Sequence, residues 1–264
     1  MKRTSALRAG TVFTVRAVCV LAALMAAVSL AGRAEAGTVV LSGSSTVQKR
    51  VIEPARKAIE KKTGVAVAVT GSGTIRGLKD LTKGDAAAAT ASCPLDAALQ
   101  VTGIPPEGTF REHVIMQDLV VPVAHPSNTV KSLTADQLAG IHSGRIKNWK
   151  EVGGADDRIV VVVPPASSGT RALLQDEVLH GAEFVNGAYV TVTDREAVDV
   201  VALSPIAIAM LSEAFARTNG AKVKVLKAPP LARPLSIITK DEPSAELKEV
   251  IRFLQSKEAK RLFK

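Results

Sequence analysis

The stretch Thr38-Val39-Val40-Leu41-Ser42-Gly43-Ser44-Ser45-Thr46-Val47 changes character twice in a short span. Thr38 to Leu41 is an apolar, β-branched run that predicts a short buried strand, and Gly43 to Thr46 is a turn rich in helix-capping residues. Val47 to Lys62 then spaces its apolar residues like an amphipathic helix, which Thr63-Gly64 ends. Working outward, Val65 to Val69 reads as the next strand. Gly71 to Thr74 is a second Gly/Ser/Thr turn leading into a short helix around Arg76 to Leu81, and Ala86 to Ala91 reads as a third strand. Strand, turn, helix, strand is the pattern of an α/β protein with a parallel sheet.

The same grammar repeats further along. Val114 to Val123 is apolar and β-branched, and His125-Pro126-Ser127-Asn128 breaks it, which fits a crossing from one lobe to another. Ser132-Leu133-Thr134 starts a new helix, and Trp149 lies in a polar, glycine-rich loop from Asn148 to Gly154. The strand Ile159 to Val163, the turn Ala166 to Gly169 and a helix from about Thr170 to Leu179 follow. A helix from Asp194 to Leu203 stops at Ser204-Pro205, Ile206 to Met210 is apolar, and Leu235 to Thr239 reads as a returning strand. The proline-rich piece Ala228 to Pro234 suits a second crossing between lobes, or an ordinary surface loop. Ser244 to Phe263 ends the chain with helical spacing of Leu247, Val250, Ile251 and Leu254.

The first thirty-six residues carry Lys2, Arg3, Arg8 and Arg16, an apolar run from Ala17 to Ala31, and then Ala34-Glu35-Ala36. That order of charge, apolar core and small residues predicts a secretory signal cleaved after Ala36, and the apolar run is too short to span a bilayer. Cys19 stands at the front of the run, not behind it where a lipid-anchoring cysteine would lie, and leaves with the signal. The segment holds five basic residues and one acidic residue, so the formal charge of +9 falls to +5 for the remainder. The remaining lysines sit beside acidic residues and aromatics are scarce, which argues against nucleic-acid binding; a modest positive field suits an anionic ligand. Cys93 is then the single cysteine, which excludes an intrachain disulfide and a CxxC metal site.

Three segments share one composition: Gly43-Ser44-Ser45-Thr46, Gly71-Ser72-Gly73-Thr74 and Ser167-Ser168-Gly169-Thr170. Each follows an expected strand and precedes an expected helix. There the first backbone N–H groups of the helix lack chain partners, the helix dipole is positive, and Ser or Thr hydroxyls donate as well. In a doubly wound sheet such junctions lie at the carboxyl ends of the strands, so separate turns can converge on one crevice. Any one alone reads more readily as a plain cap or turn, whereas three together, each after a β-branched strand, point to a ligand site. None is a nucleotide loop, because Gly71 to Leu78 lacks the Gly-Lys-Ser/Thr ending and Arg76 replaces the last glycine of GxGxxG. There is no GxSxG elbow. His113, His125, His142 and His180 have no metal-ligand spacing and are expected as surface or cap residues.

With these segments in hand, the sequence resembles the phosphate-binding proteins that serve ABC transporters, within the type II periplasmic binding fold. The matching segments are Leu41 to Val47, Gly71 to Leu81, Ala91-Ser92-Cys93-Pro94-Leu95, His125 to Asn128, Leu133 to Gly154, Ser168-Gly169-Thr170-Arg171 and Ser204 to Ile208; Ser143 to Trp149 is the most specific. The resemblance implies a two-lobed α/β fold with mixed, mostly parallel sheets and a two-segment hinge. Lobe one would be residues 37–122 and 232–264, and lobe two 123–231. It also implies a cleft closing on a dehydrated oxyanion, most simply inorganic phosphate. Carried over residue by residue, Ser45 and Thr46 would serve from the first turn, Thr74 from the second, Ser92 from the third strand, and Ser168, Gly169 and Thr170 from lobe two. Family members often have an arginine where Pro164 stands, a charged residue at Cys93, and Gly-Tyr at Ala209-Met210. Arg76 could restore the positive charge or face solvent, while Arg171 more often supports its turn.

The expectation is therefore a monomeric periplasmic receptor without cofactor, metal or enzyme activity, docking to permease subunits at the inner membrane. Two alternatives stay open at this stage. One is an exported sensor or scaffold of the same fold, binding molybdate, tungstate, sulfate or nothing. The other is a hydrolase using a Ser-rich turn.

Overall fold

A computed structural model describes residues 37–105 and 110–263. The expected signal segment, its cleavage point and Cys19 lie outside the described residues. No helix among the described residues is long and apolar enough to cross a membrane.

One nine-stranded sheet runs through the molecule in the order β2-β1-β3-β9-β4-β7-β5-β6, with β8 on β4. On one flank, β1 (Thr38–Gly43) pairs in parallel with β2 (Ala66–Thr70) and with β3 (Ala88–Ala91). On the other, β5 (Val160–Val163) pairs in parallel with β6 (Tyr189–Val190) and β7 (Ala207–Ser212). Between them lie two long strands, β4 (Phe110–Ala124) and β9 (Leu231–Lys240), antiparallel to each other and to their other neighbours, β8 (Lys224–Val225) included. Parallelism is thus confined to the flanks, where helices cross over, and the two connecting strands supply every antiparallel ladder. Pro234, which suggested a break, sits inside β9 opposite Gln117, next to a bulge between Val114 and Met116 that loosens the ladder there.

On the first flank the chain leaves β1 through α1 (Ser45–Val47), a π-helical turn (Gln48–Ile52) and α2 (Glu53–Thr63). Ser44 caps the start by accepting from Val47 N–H, and Gly64 ends the run at φ 71°, a left-handed position where a side chain would be strained. Helix α3 (Thr74–Lys83) joins β2 to β3, and α4 (Leu95–Thr102), absent from the sequence reading, follows β3. Leu41, Ile52 and Ile59 pack with Leu235, Ile237 and the helix α9 (Ala245–Gln255), whose Leu247, Val250, Ile251 and Leu254 form one face. Each such side chain, fully buried, contributes about 1.5–3 kcal/mol, and together they return the C-terminal segment to the first flank.

The second flank is built the same way. Thr134 forms a capping box with Gln137 at the start of α5 (Ala135–Ser143). Ser168 caps α6 (Gly169–Leu173), which passes into a second π-helical turn (Leu174–Val178). Thr193 caps α7 (Asp194–Leu203), and α8 (Glu213–Thr218) follows β7. Trp149 departs from its expected loop setting: Asn148 and Glu151 cap a 3-10 turn (Trp149–Val152) that drives the indole into the core. It is 2% exposed, and its Nε1–H donates to Ile206 O at 3.0 Å.

His142 corrects a second expectation. Instead of capping or facing water it is fully buried, donating Nδ1–H to Leu138 O at 2.9 Å, while Nε2 finds no partner among the described residues. Burial holds its pKa below the usual value near 6.5, outweighing the upward pull of the Leu138 carbonyl. The unfolded chain therefore binds a proton that the fold refuses. Stability from this group is complete above pH 6.5 and falls as pH drops below it, by up to about 1.4 kcal/mol per unit. Urea melts between pH 5 and 7 are expected to show a shallower acid loss in His142→Leu than in the native protein. Equal slopes would mean that His142 titrates normally in the fold.

Candidate functional site

The carboxyl ends of β1, β2 and β3 face those of β5, β6 and β7, and the segments leaving the first five of these strands, with the last residues of β7, enclose a cavity. About 80 Å³ of it is open to a water-sized sphere, far below the roughly 300–1,000 Å³ of pockets for drug-sized ligands. Among the described residues its polar side chains are eleven Ser and Thr residues and one carboxyl, Asp194, and no Lys, Arg or His lines it.

Of the residues singled out from sequence, Ser45, Thr46, Thr74, Ser92, Ser168, Gly169 and Thr170 all line this cavity. The segments carrying them lie far apart in the chain but touch here. Ile75 N–H, in the first turn of α3, donates to Ser167 O at 3.1 Å. A Cβ on Gly169 would sit 2.5 Å from Thr74 Oγ1 and 2.8 Å from Ser92 Oγ, so only glycine allows this approach. Gly73, at φ 95°, sets up the other side of the contact.

The hydroxyls are polarised by their own hydrogen bonds. Thr74 Oγ1 accepts from Ser92 N–H at 3.1 Å, Ser168 Oγ from Thr170 N–H at 3.1 Å, and Ser44 Oγ from Val47 N–H at 3.3 Å. Thr170 Oγ1 accepts from Arg233 Nη1 at 2.6 Å. A hydroxyl has one proton and two lone pairs. Where chain donors occupy a lone pair, the proton is left to be given elsewhere, and the cavity is what these oxygens face.

Arg76 is corrected. It does not line the cavity; its side chain is 65% exposed and pairs with Asp80 at 2.8 Å, one helical turn on. The i to i+4 spacing of α3 favours that partner, and Asp80 is held in place by Ser42 Oγ at 2.7 Å. Arg171 also stays outside, stacking over Phe184 at 4.7 Å and donating to Pro164 O at 3.1 Å, which braces the turn. Cys93 is buried beneath the cavity, with its thiol pushed up to about 12 by burial, and is unsuited to nucleophilic chemistry.

The positive charge comes from a residue the sequence reading passed over. Arg233 is 1% exposed and forms a two-pronged bond to Asp118, Nε at 3.0 Å and Nη2 at 2.8 Å. Its Nη1 reaches Thr170 Oγ1 and the Ser92 carbonyl, at 3.3 Å, so one guanidinium ties β9 to both walls of the cavity. Asp118 also bonds Arg50, and takes Ser212 Oγ at 3.0 Å, leaving this buried cluster with a net charge of +1 behind the site. The register Asp118↔Arg233 and the shared phase of Arg233 with buried Leu235 and Ile237 are signals that strand alternation carries. Asp194, at the start of α7, reads from sequence as an ordinary first-turn acid, and only the fold brings it to the cavity wall.

Fold and site together define a two-lobed binding protein. The chain belongs to the PBP superfamily: the family described as the PBP superfamily domain matches residues 30–258. Its architecture is that of the type II periplasmic binding proteins.

Among particular relatives, it is 33% identical over 151 residues to the phosphate-binding protein PstS of Bacillus subtilis (strain 168), covering 57% of this chain and 49% of that protein. An ABC-type phosphate transport receptor from Vibrio cholerae superposes with a TM-score of 0.69 at 28% identity, over 85% of this chain and 96% of that one. A phosphate ABC transporter substrate-binding protein from Clostridium perfringens, solved with bound phosphate, gives 0.74 at 26% identity over the same shares. The aligned stretch spans about half the length of the curated relatives it matches.

Proposed function

We propose that the protein is a receptor, not an enzyme, that captures inorganic phosphate in this cavity and hands it to an ABC transporter. One observation carries the reading. Hydroxyl oxygens from three separate segments have lone pairs occupied by chain donors, so their protons converge on a small space with a buried net positive charge behind it. Such a space suits a dehydrated anion of a few atoms. Ser45, Thr46, Thr74, Ser92, Ser168, Gly169 and Thr170 are the proposed contacts. The names of the Bacillus, Vibrio and Clostridium relatives support phosphate as the ion.

The proposal includes export by the N-terminal signal, cleavage after Ala36, and action as a periplasmic monomer docking to permease subunits. Lobe one, residues 37–122 and 232–264, and lobe two, 123–231, would close through β4 and β9. Hydrogen bonds to a charged ligand contribute about 1.5–3 kcal/mol each, so a few of them reach the roughly 8 kcal/mol of micromolar affinity. Calorimetry with inorganic phosphate is expected to give one site at micromolar Kd or tighter. Thr74→Ala is expected to weaken it by about 10- to 100-fold, since it removes a donor and frees Ser92 N–H. Absence of heat with phosphate would sink the reading.

A further inference from the structure

The charge of the chain is unevenly placed. Residues 123–231 hold eleven basic and eleven acidic residues, whereas 37–122 with 232–264 hold eighteen basic and thirteen acidic, so the whole formal excess of +5 lies in the second set. Most of it is concentrated further: α2 and α10 (Lys257–Lys260), with Arg261 just beyond, carry seven basic residues against three acidic. Lys62 Nζ meets Glu258 at 3.0 Å, which sets the last turn of α2 against α10. Arg56, Lys57, Lys61, Lys257, Lys260 and Arg261 are exposed and form no ion pair among the described residues. Lys57 and Lys61 stand four residues apart, as do Lys257 and Arg261, a spacing at which like charges on a solvated helix are destabilising. The helix dipole favours cations in a last turn, but Arg56 and Lys57 precede that turn of α2.

This face is separate from the anion site. Ser45 lines the cavity at the carboxyl end of β1, and the helical run from there to Thr63 carries the chain roughly 27 Å, to the amino end of β2 and of its parallel neighbour β1. Exposed charges are screened within about 8 Å at physiological salt, so these cations neither hold nor steer an ion in the cavity.

We infer that the basic face of α2 and α10 binds the surface of a bilayer rich in anionic phospholipid. Unpaired cations without a fixed mutual spacing suit mobile lipid headgroups. Leu262, exposed at the edge of the face, adds an apolar side chain able to enter the acyl boundary. Single-stranded nucleic acid calls for stacking aromatics, and among the described residues this face exposes none. Bound in this way the protein keeps its cavity end turned to solution, a state distinct from docking to a transporter.

Thr38 to Lys264 forms a compact unit by itself, so the form beginning at Gly37 is tested free of the N-terminal basic and apolar residues. Inorganic phosphate is kept saturating, to occupy the cavity. Co-sedimentation with vesicles of equal parts phosphatidylglycerol and phosphatidylcholine is expected to retain the protein at low salt. At ~1 M salt, where screening shortens to about 3 Å, the protein is expected to be released. Vesicles of phosphatidylcholine alone are expected to hold at least about tenfold less. Each Lys or Arg at an anionic surface adds about fivefold to partition. The variant Lys57→Gln/Lys61→Gln/Lys257→Gln/Arg261→Gln is therefore expected to lose at least about tenfold while keeping the native urea midpoint, since all four positions are exposed. Equal binding to phosphatidylcholine, retention at high salt, or undiminished binding by the variant would overturn the inference. So would a preference of the native protein for a single-stranded oligonucleotide over the anionic vesicles. The native-protein series does not depend on how the variant folds, and none of these outcomes bears on the anion cavity.

Discussion

Replacing Arg233 with methionine is expected to cost about 3–5 kcal/mol of stability and to weaken phosphate at least tenfold. The side chain is 1% exposed and supplies two hydrogen bonds to Asp118, one to Thr170 Oγ1 and one to the Ser92 carbonyl. Methionine fills much of the space but leaves Asp118 with only Arg50 and Ser212, and a buried carboxylate short of partners is the expensive part of a broken pair. The binding loss has a different origin. Without the guanidinium, Thr170 Oγ1 keeps both lone pairs free, its proton is no longer committed to the cavity, and the net positive charge behind the anion disappears. Arg233→Lys separates the two effects, because an ammonium can stay beside Asp118 but cannot also fork to Thr170 and Ser92. Urea melts read the first loss and calorimetry the second. If Arg233 acts through Thr170, Arg233→Lys in a Thr170→Val background is expected to add little further loss of affinity. Full additivity in that cycle would show that the guanidinium acts on the anion by another route.

The sequence carried the strand-turn-helix units because they are local. A β-branched run followed by Gly, Ser and Thr can do little besides end a strand and cap a helix, so β1 with Ser44 and β5 with Ser168 were legible within a residue or two. The cavity residues followed, since parallel crossovers bring such turns to one edge of a sheet. What resisted reading was whatever depends on partners distant in sequence. Arg76 lies inside the right turn yet answers to Asp80, four residues on, while Arg233 lies in a proline-bearing stretch that looked like a connector and proves to be the central cation. His142 and Trp149 sit in polar sequence but are buried, because capping boxes at Thr134 and Asn148 orient short helical turns that turn them inward. The long antiparallel pairing of β4 with β9, ten matched positions with a bulge, is likewise invisible to local patterns, and it puts Asp118 opposite Arg233.

Gly169→Ala is expected to reduce phosphate affinity by a factor of at least a hundred while leaving the ligand-free protein as stable as before, or slightly more so. Gly169 is the first residue of α6, with no left-handed φ, so the local backbone accepts alanine and gains about 0.5–1 kcal/mol of helix preference. The obstacle lies entirely across the cavity. A Cβ would meet Thr74 Oγ1 at 2.5 Å and Ser92 Oγ at 2.8 Å, both closer than non-bonded carbon and oxygen tolerate, and both oxygens belong to the opposite flank. On the proposed closure of the two lobes, the methyl group is accommodated when the flanks stand apart and excluded when they meet around the anion. Ligand-dependent stabilisation exposes the difference: phosphate at a hundred times the native Kd is expected to raise native stability by about 2.7 kcal/mol, and to raise that of Gly169→Ala by less than about 0.5 kcal/mol. Gly73→Ala provides the contrast, since its φ of 95° strains any side chain, and there the ligand-free protein is expected to lose stability as well. Tight phosphate binding by Gly169→Ala would mean that the turns carrying Thr74 and Thr170 need not touch, and the cavity would then hold its ion with the flanks apart.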